Sequence, residues 1–252
     1  TTLMIWQRGF VSFFDFFNIF VTSVVTYIIP AVIMSLFISN KIPEGDGKKI
    51  EILPGGQVIA ALGIFTIIFT VSGHQILHMP PVFGMMFGLG ALGTYGYFLK
   101  TKYPKNNKFD IFVQTGRAEW DTLLFFYGIL VSVGGLAALG YLSLISNDMY
   151  GTLGPTYANI LVGFLSAIID NIPIVYAVLT AHPEMDMGQW LLITLTAGVG
   201  GSLLSIGSAA GVALMGQARG VYTFFSHLKW SWAILLGYAA GVVVHLWMNA
   251  DF

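Results

Sequence analysis

Cysteine is absent from all 252 residues, which excludes disulfides, thiolate metal sites and iron–sulfur clusters. Charge is scarce as well. Asp, Glu, Lys and Arg make up 9% of the chain, where soluble domains carry roughly 25%. A net charge of −1 offers nothing to nucleic acid, so no nucleic-acid partner is expected. The opening Thr1-Thr2-Leu3-Met4-Ile5-Trp6 has neither an initiator Met nor the basic, apolar and small-residue zones of a signal peptide. A piece of a longer polypeptide is expected. Apolar residues, by contrast, are abundant: 56% of the chain is hydrophobic, with 20 Phe and 6 Trp, and the mean hydropathy is +0.78. This is the composition of an all-α integral membrane protein with aromatic belts. The lipid bilayer is its first partner, and no cofactor is called for.

A spanning helix needs about 20 apolar residues, and that length picks out residues 17–39, 57–72, 81–99, 122–145, 188–217 and 231–249. Residues 3–16, with Arg8 and Asp15 among aromatics, suit either an interfacial helix or an extension of the first span. The run 157–181 is long enough to cross, yet Asp170-Asn171-Ile172-Pro173 splits it. Each half of about a dozen residues reaches roughly 18 Å, against a hydrocarbon core of about 30 Å. Charge decides between a kinked crossing and a re-entrant hairpin. Loops 41–49, 100–117 and 219–229 hold ten of the eleven Lys and Arg residues, and the positive-inside rule wants all three cytoplasmic. A hairpin at 157–181 satisfies that, whereas a full crossing turns Arg219 and Lys229 outward. The same rule puts loops 74–79, 146–155 and 182–187, and the C-terminus, outside.

Asp170 is the lone acid in the apolar stretch 156–181. A carboxylate at mid-bilayer costs at least ~2.5–3.5 kcal/mol, whereas a helix cap is worth about 1 kcal/mol and Ser or Asn supplies one without the charge. Its retention points to an ion or proton site. Pro173 suits the first turn of the returning half-helix, with Asp170 or Asn171 as its N-cap. A second discontinuity lies at 197–211, where five glycines in fifteen residues make a poor helix interior at about 1 kcal/mol each against Ala. Unwinding there exposes carbonyls, and Ser202, Ser205 and Ser208 add hydroxyls at three-residue spacing. Close helix packing through small residues uses the same composition without an ion. Ser166, four residues before Asp170, shares its helical face. Hard oxygen ligands at broken helices suit a small cation.

The runs Ser166-Ala-Ile-Ile-Asp-Asn-Ile-Pro173, Gly188-Gln-Trp through Ala-Arg-Gly220 and Tyr222-Thr-Phe-Phe-Ser-His-Leu-Lys-Trp230 resemble NhaD-type sodium/proton antiporters. These belong to the ion-transporter superfamily, with arsenite permeases and sodium-coupled dicarboxylate carriers. The resemblance runs from about residue 119 to the end and implies two inverted repeats, each with a re-entrant hairpin followed by a broken helix. Only one Asp-Asn tip is present here, so the chain looks like the second repeat, the C-terminal half, with the first-repeat half as a missing partner and a homo-oligomer as a further expectation. Residues 1–121 are then leading helices with cytoplasmic basic loops. Residues 122–252 are the ion-site half, holding hairpin 157–181, broken helix 188–217 and last span 231–249. By resemblance Asp170, Asn171, Ser166, Ser205 and Ser208 form the ion site, with Na⁺ at Asp170, Asn171, Ser205 and Ser208 and support from Ser202, Gly207 and Pro173. Asp170 holds a proton or Na⁺, never both, with Li⁺ as another candidate cargo. The implied location is a bacterial inner membrane.

A carboxylate or arsenite carrier on the same scaffold is the alternative, and the Asp-Asn-Ile tip disfavours an anion. An intramembrane hydrolase wants a second acid, and spans 122–145 and 188–217 contain none. The remaining polar residues have blander readings. His74 and His78 lack a third metal ligand. His227 and Lys229 suit an interface, His245 has no assigned role, and Glu119 with Asp121 favours a helix N-terminus.

Overall fold

The computed structural model describes residues 1–38, 54–103, 111–116, 120–218 and 220–249. Lys41, Lys48, Lys49, Lys105, Lys108, Arg117, Glu119 and Arg219, on which much of the charge argument turns, lie outside the described residues. Among the described residues every regular element is helical. Four helices are long and apolar enough to cross a membrane: Phe14–Ser35, Gly56–Leu77, Pro81–Lys102 and Ser231–Met248. A fifth candidate is the pair Tyr127–Ala138 and Tyr141–Ser166, bent by 80°. The chain is a multi-pass membrane protein that divides into two compact units, residues 42–121 and the remainder.

The smaller unit is built on α3 (Gly56–Leu77) and α4 (Pro81–Lys102). A short α5 (Ile111–Gly116) follows. Thr66 and Thr70 turn their hydroxyls back onto the Leu62 and Thr66 carbonyls at 2.7 Å, so each is satisfied within its own helix. Gly84 and Gly88 sit directly against those two threonines. Small residues four apart let the backbones approach, the usual solution where lipid removes the hydrophobic drive for association. His78 ends α3 at φ 52°, and His74 Nδ1 lies 3.0 Å from the Met79 carbonyl. The two histidines therefore finish a helix, and no group of three metal-binding side chains occurs among the described residues.

The larger unit repeats the same device. A 3₁₀ turn, Phe14–Ile19, leads into α2 (Phe20–Ser35), which packs on the last long helix, α12 (Ser231–Met248). Thr22 and Thr26 bond back to Ile19 and Thr22 carbonyls at 2.8 Å, and Gly237 and Gly241 close on Thr26. Ahead of them lies a separate short helix, α1 (Thr2–Gln7), while residues 14–16 extend the first span. Ile5 and Val11 are buried in the main apolar cluster, and Phe10 stacks on Trp190 with centroids 4.1 Å apart.

The middle of this unit runs α6 (Trp120–Ala138), α7 (Tyr141–Ser166), α8 (Asn171–Ala181), α9 (Met187–Gly200), α10 (Ala209–Gln217) and α11 (Phe224–Leu228). Two expectations need correction here. The helix expected to run through residue 145 stops at Ala138, because Gly140 at φ 82° turns the chain into α7. Residues 146–155, expected as an external loop, are helical. Asn147 and Asp148 look loop-like in sequence, but Ser146 and Tyr150, one turn apart, are buried. The break falls later, at Gly154 (φ 75°, ψ 160°), which kinks α7 ahead of Pro155.

Candidate functional site

Two discontinuities meet in the larger unit. The first is the turn between α7 and α8. After Ser166 the helix tightens: Ala167 N–H donates to the Phe164 carbonyl and Ile168 N–H to that of Leu165, at 3.1 and 3.0 Å. Asp170 then leaves helical geometry (φ −46°, ψ 145°) and caps α8, its Oδ2 accepting from Ile172 N–H at 3.2 Å. Pro173 is the third residue of α8, where its missing N–H is no loss, and it is buried. Asp170 and Asn171 are both half-buried. Of the two cap candidates, the charged one takes the position.

The second discontinuity separates α9 from α10 over residues 201–208. Ser208 restarts the helix, its Oγ accepting from Gly211 N–H at 3.1 Å. Ser205 is 2% exposed and donates toward Met215 Sδ at 3.4 Å. Ser202 is exposed. The break is also a seat for the turn. A Cβ on Gly207 would stand 2.5 Å from the Ala167 carbonyl oxygen and 2.8 Å from that of Ser166, and one on Gly201 would stand 3.5 Å from Ser166 Oγ. Gly200 is in direct contact with the Gly163 backbone. Unwinding and close packing, which the composition left as rivals, are both present. The structure thus brings Ser166 and the Asp170 turn onto the break at Gly201 and Gly207. Ser205 and Ser208 hold bonds within the break and α10.

A buried polar seam runs along α7 and α9 toward this meeting point. Asn159, 0% exposed, accepts from the Tyr150 hydroxyl at 3.0 Å. Its Nδ2 donates to Gln189 O and Oε1 at 3.0 and 3.1 Å. Gln189 Nε2 donates to Thr156 Oγ1 at 2.9 Å, and Thr196 Oγ1 donates to the Asn159 carbonyl at 2.9 Å. Seven residues on from Asn159, Ser166 Oγ donates to the Ala197 carbonyl at 2.8 Å. Sequence reasoning missed this seam, although an amide two turns from Ser166 on an apolar helix was a visible signal. It named two histidines without their partners. His245, 2% exposed, ties α12 to the Gly188 carbonyl at 3.0 Å, and His227 reaches the Ser202 carbonyl at 3.0 Å.

A family model described as citrate transporter (CitMHS) matches residues 2–198. The chain belongs to that family. That family is one of transporters rather than enzymes, and relatives with curated names are similar along the whole length of this chain. The Na(+)/H(+) antiporter NhaD of Alkalimonas amylolytica is 52% identical over 100% of this chain and 57% of its own. That of Vibrio parahaemolyticus is 52% identical over 95% and 63%, and sodium/proton antiporter 1 of Arabidopsis thaliana is 34% identical over 98% and 44%. The chain thus spans between 44% and 63% of the length of these relatives. No solved structure matches it.

Proposed function

We propose that the protein to which this chain belongs is a secondary antiporter that exchanges cytoplasmic Na⁺, with Li⁺ as a further candidate, for external H⁺. Asp170 is the carboxylate that holds one or the other. One observation carries the reading: a half-buried acid caps α8 at a turn seated on the glycines of a second helix break. Two helix ends and a carboxylate at one place supply hard oxygen ligands and a proton acceptor together, the way transporters build cation sites from discontinuous helices. The names of the similar relatives support it.

On this reading the turn between α7 and α8 is the tip of a re-entrant hairpin spanning 157–181, and α9 with α10 is the broken helix of a second inverted repeat with about six spans. Residues 122–252 form the ion-site half. The C-terminus lies outside, in a bacterial inner membrane. Asp170, Asn171, Ser205 and Ser208 ligate Na⁺, with Ser166 beside them and Ser202, Gly207 and Pro173 in support. Proton entry from outside displaces Na⁺ from Asp170, and Na⁺ from the cytoplasm displaces the proton.

A carboxylate carrier is the second reading, favoured by the description of the family model that the chain matches. The deciding experiment adds Na⁺ to everted vesicles carrying the full-length protein and follows collapse of ΔpH. A Na⁺ response that disappears in Asp170→Asn supports exchange through the tip. Silence toward Na⁺, Li⁺ and K⁺, with citrate uptake instead, overturns it.

A further inference from the structure

The loop between α9 and α10 is gripped by residues that follow it in the chain. His227 Nε2 lies 3.0 Å from the Ser202 carbonyl, and Ser231 Oγ donates to the Leu203 carbonyl at 2.6 Å. A carbonyl only accepts, so the ring proton is on Nε2. Nδ1 of the same ring is then an acceptor, and the Tyr222 hydroxyl stands 2.6 Å from it. Burial raises the Tyr222 phenol above its ordinary value, and with Nδ1 accepting the phenol O–H is the donor. A partner on one ring nitrogen fixes the tautomer and aims the other. Tyr222 thus orients His227 toward the break. The base of the grip is itself ordered, because Thr223 and Ser226 form a reciprocal capping box at the start of α11.

The grip has a chemical consequence. Unwound carbonyls are natural cation ligands, yet those of Ser202 and Leu203 are engaged by side chains. That of Leu204 accepts from Gly207 N–H at 3.1 Å. The first part of the break is thereby committed to protein, and Ser205 follows it directly, buried.

We propose that His227, oriented by Tyr222 and seconded by Ser231, is a positioning residue for the cation site: it holds residues 202–204 so that the hydroxyls of Ser205 and Ser208 are presented to the ion. The proposal rests on the Na⁺/H⁺ reading above. It assigns the apparent interfacial histidine a task in ion affinity, without contact with the ion.

The test uses the full-length protein in everted vesicles and separates the apparent KM for Na⁺ from the maximal rate. Three variants are compared: His227→Ala, His227→Gln and Tyr222→Phe. Gln keeps an N–H for the Ser202 carbonyl and an oxygen for Tyr222. His227→Ala is expected to raise KM about tenfold, the loss of one ordinary hydrogen bond's worth of positioning, with the maximal rate within about twofold. Tyr222→Phe, a milder change, raises KM by about threefold, and His227→Gln stays within about twofold of wild type. A lower maximal rate and less protein in the membrane at unchanged KM overturn the proposal in favour of a purely structural role. So does a His227→Gln as impaired as His227→Ala. A wild type that ignores Na⁺ sinks the antiport reading instead, and the same KM comparison is then made with citrate. Unchanged KM across the variants there overturns the positioning role too.

Discussion

Ser166 and Gly207 meet face to face: the Ser166 carbonyl oxygen lies 2.8 Å from the place a Gly207 Cβ would occupy, and that of Ala167 lies 2.5 Å from it. The start of the turn that carries Asp170 meets the break carrying Ser205 and Ser208 at this bare backbone. Anything that widens the contact separates the elements that the proposed ion site needs together.

Gly207→Ala therefore creates an overlap with backbone, which cannot rotate away, at a cost of about 1–3 kcal/mol. Gly198→Ala, in the last turn of α9 and with open space around it, should be neutral or stabilise by up to about 1 kcal/mol. Thermal unfolding in detergent with a fluorescent reporter distinguishes them. Equal melting temperatures for the two variants contradict the seat.

Asp170→Asn keeps an N-cap of comparable strength, so α8 should form and the protein should reach the membrane in normal amount. Na⁺-dependent ΔpH collapse should vanish. Near-normal exchange in this variant reduces Asp170 to a cap.

Asn159→Leu removes one amide from the seam and leaves the Tyr150 hydroxyl and Gln189 side chain short of a partner. A loss of about 2–4 kcal/mol is expected, since each stranded buried group costs about 1–3 kcal/mol. Thr196→Val, which gives up the bond to the Asn159 carbonyl and a longer one to that of Ile193, should cost about 1 kcal/mol. If the two lower the melting temperature equally, the seam is not centred on Asn159.

Gly241→Leu should uncouple α2 from α12, because Gly241 is in direct contact with Thr26. Thr26→Val should be tolerated within about 1 kcal/mol, since the hydroxyl bonds only its own helix. Cysteines placed across this pair report the separation by loss of cross-linking in the leucine variant.

Much of this was legible in the sequence for physical reasons. An acid in an apolar run and glycines crowded into a helix are costly, so both discontinuities stand out, and the structure breaks the chain after Ser166 and Gly200. The bend at Gly140 was not legible, because one glycine in an apolar run is compatible with a straight membrane helix. Nor was the helicity of residues 146–155, where Asn147 and Asp148 outweighed a buried stripe that only tertiary contact reveals. The partners of Asn159 and His227 lie 30 and 25 residues away in the chain, and such pairings carry no local signature. His227 looked bland because its polar partners are backbone and a tyrosine.

The pairing of α2 with α12 also sets an order of events during synthesis. Thr26 emerges from the ribosome roughly two hundred residues before Gly237, so the first long helix enters lipid and waits without its mate. It can wait because Thr22 and Thr26 bond their hydroxyls to carbonyls of the same segment, so neither of the two is stranded in hydrocarbon. The glycines that complete the joint arrive later, on α12. The joint in the larger unit thus closes only once α12 is made, and a ribosome stalled short of α12 leaves α2 inserted but unclasped.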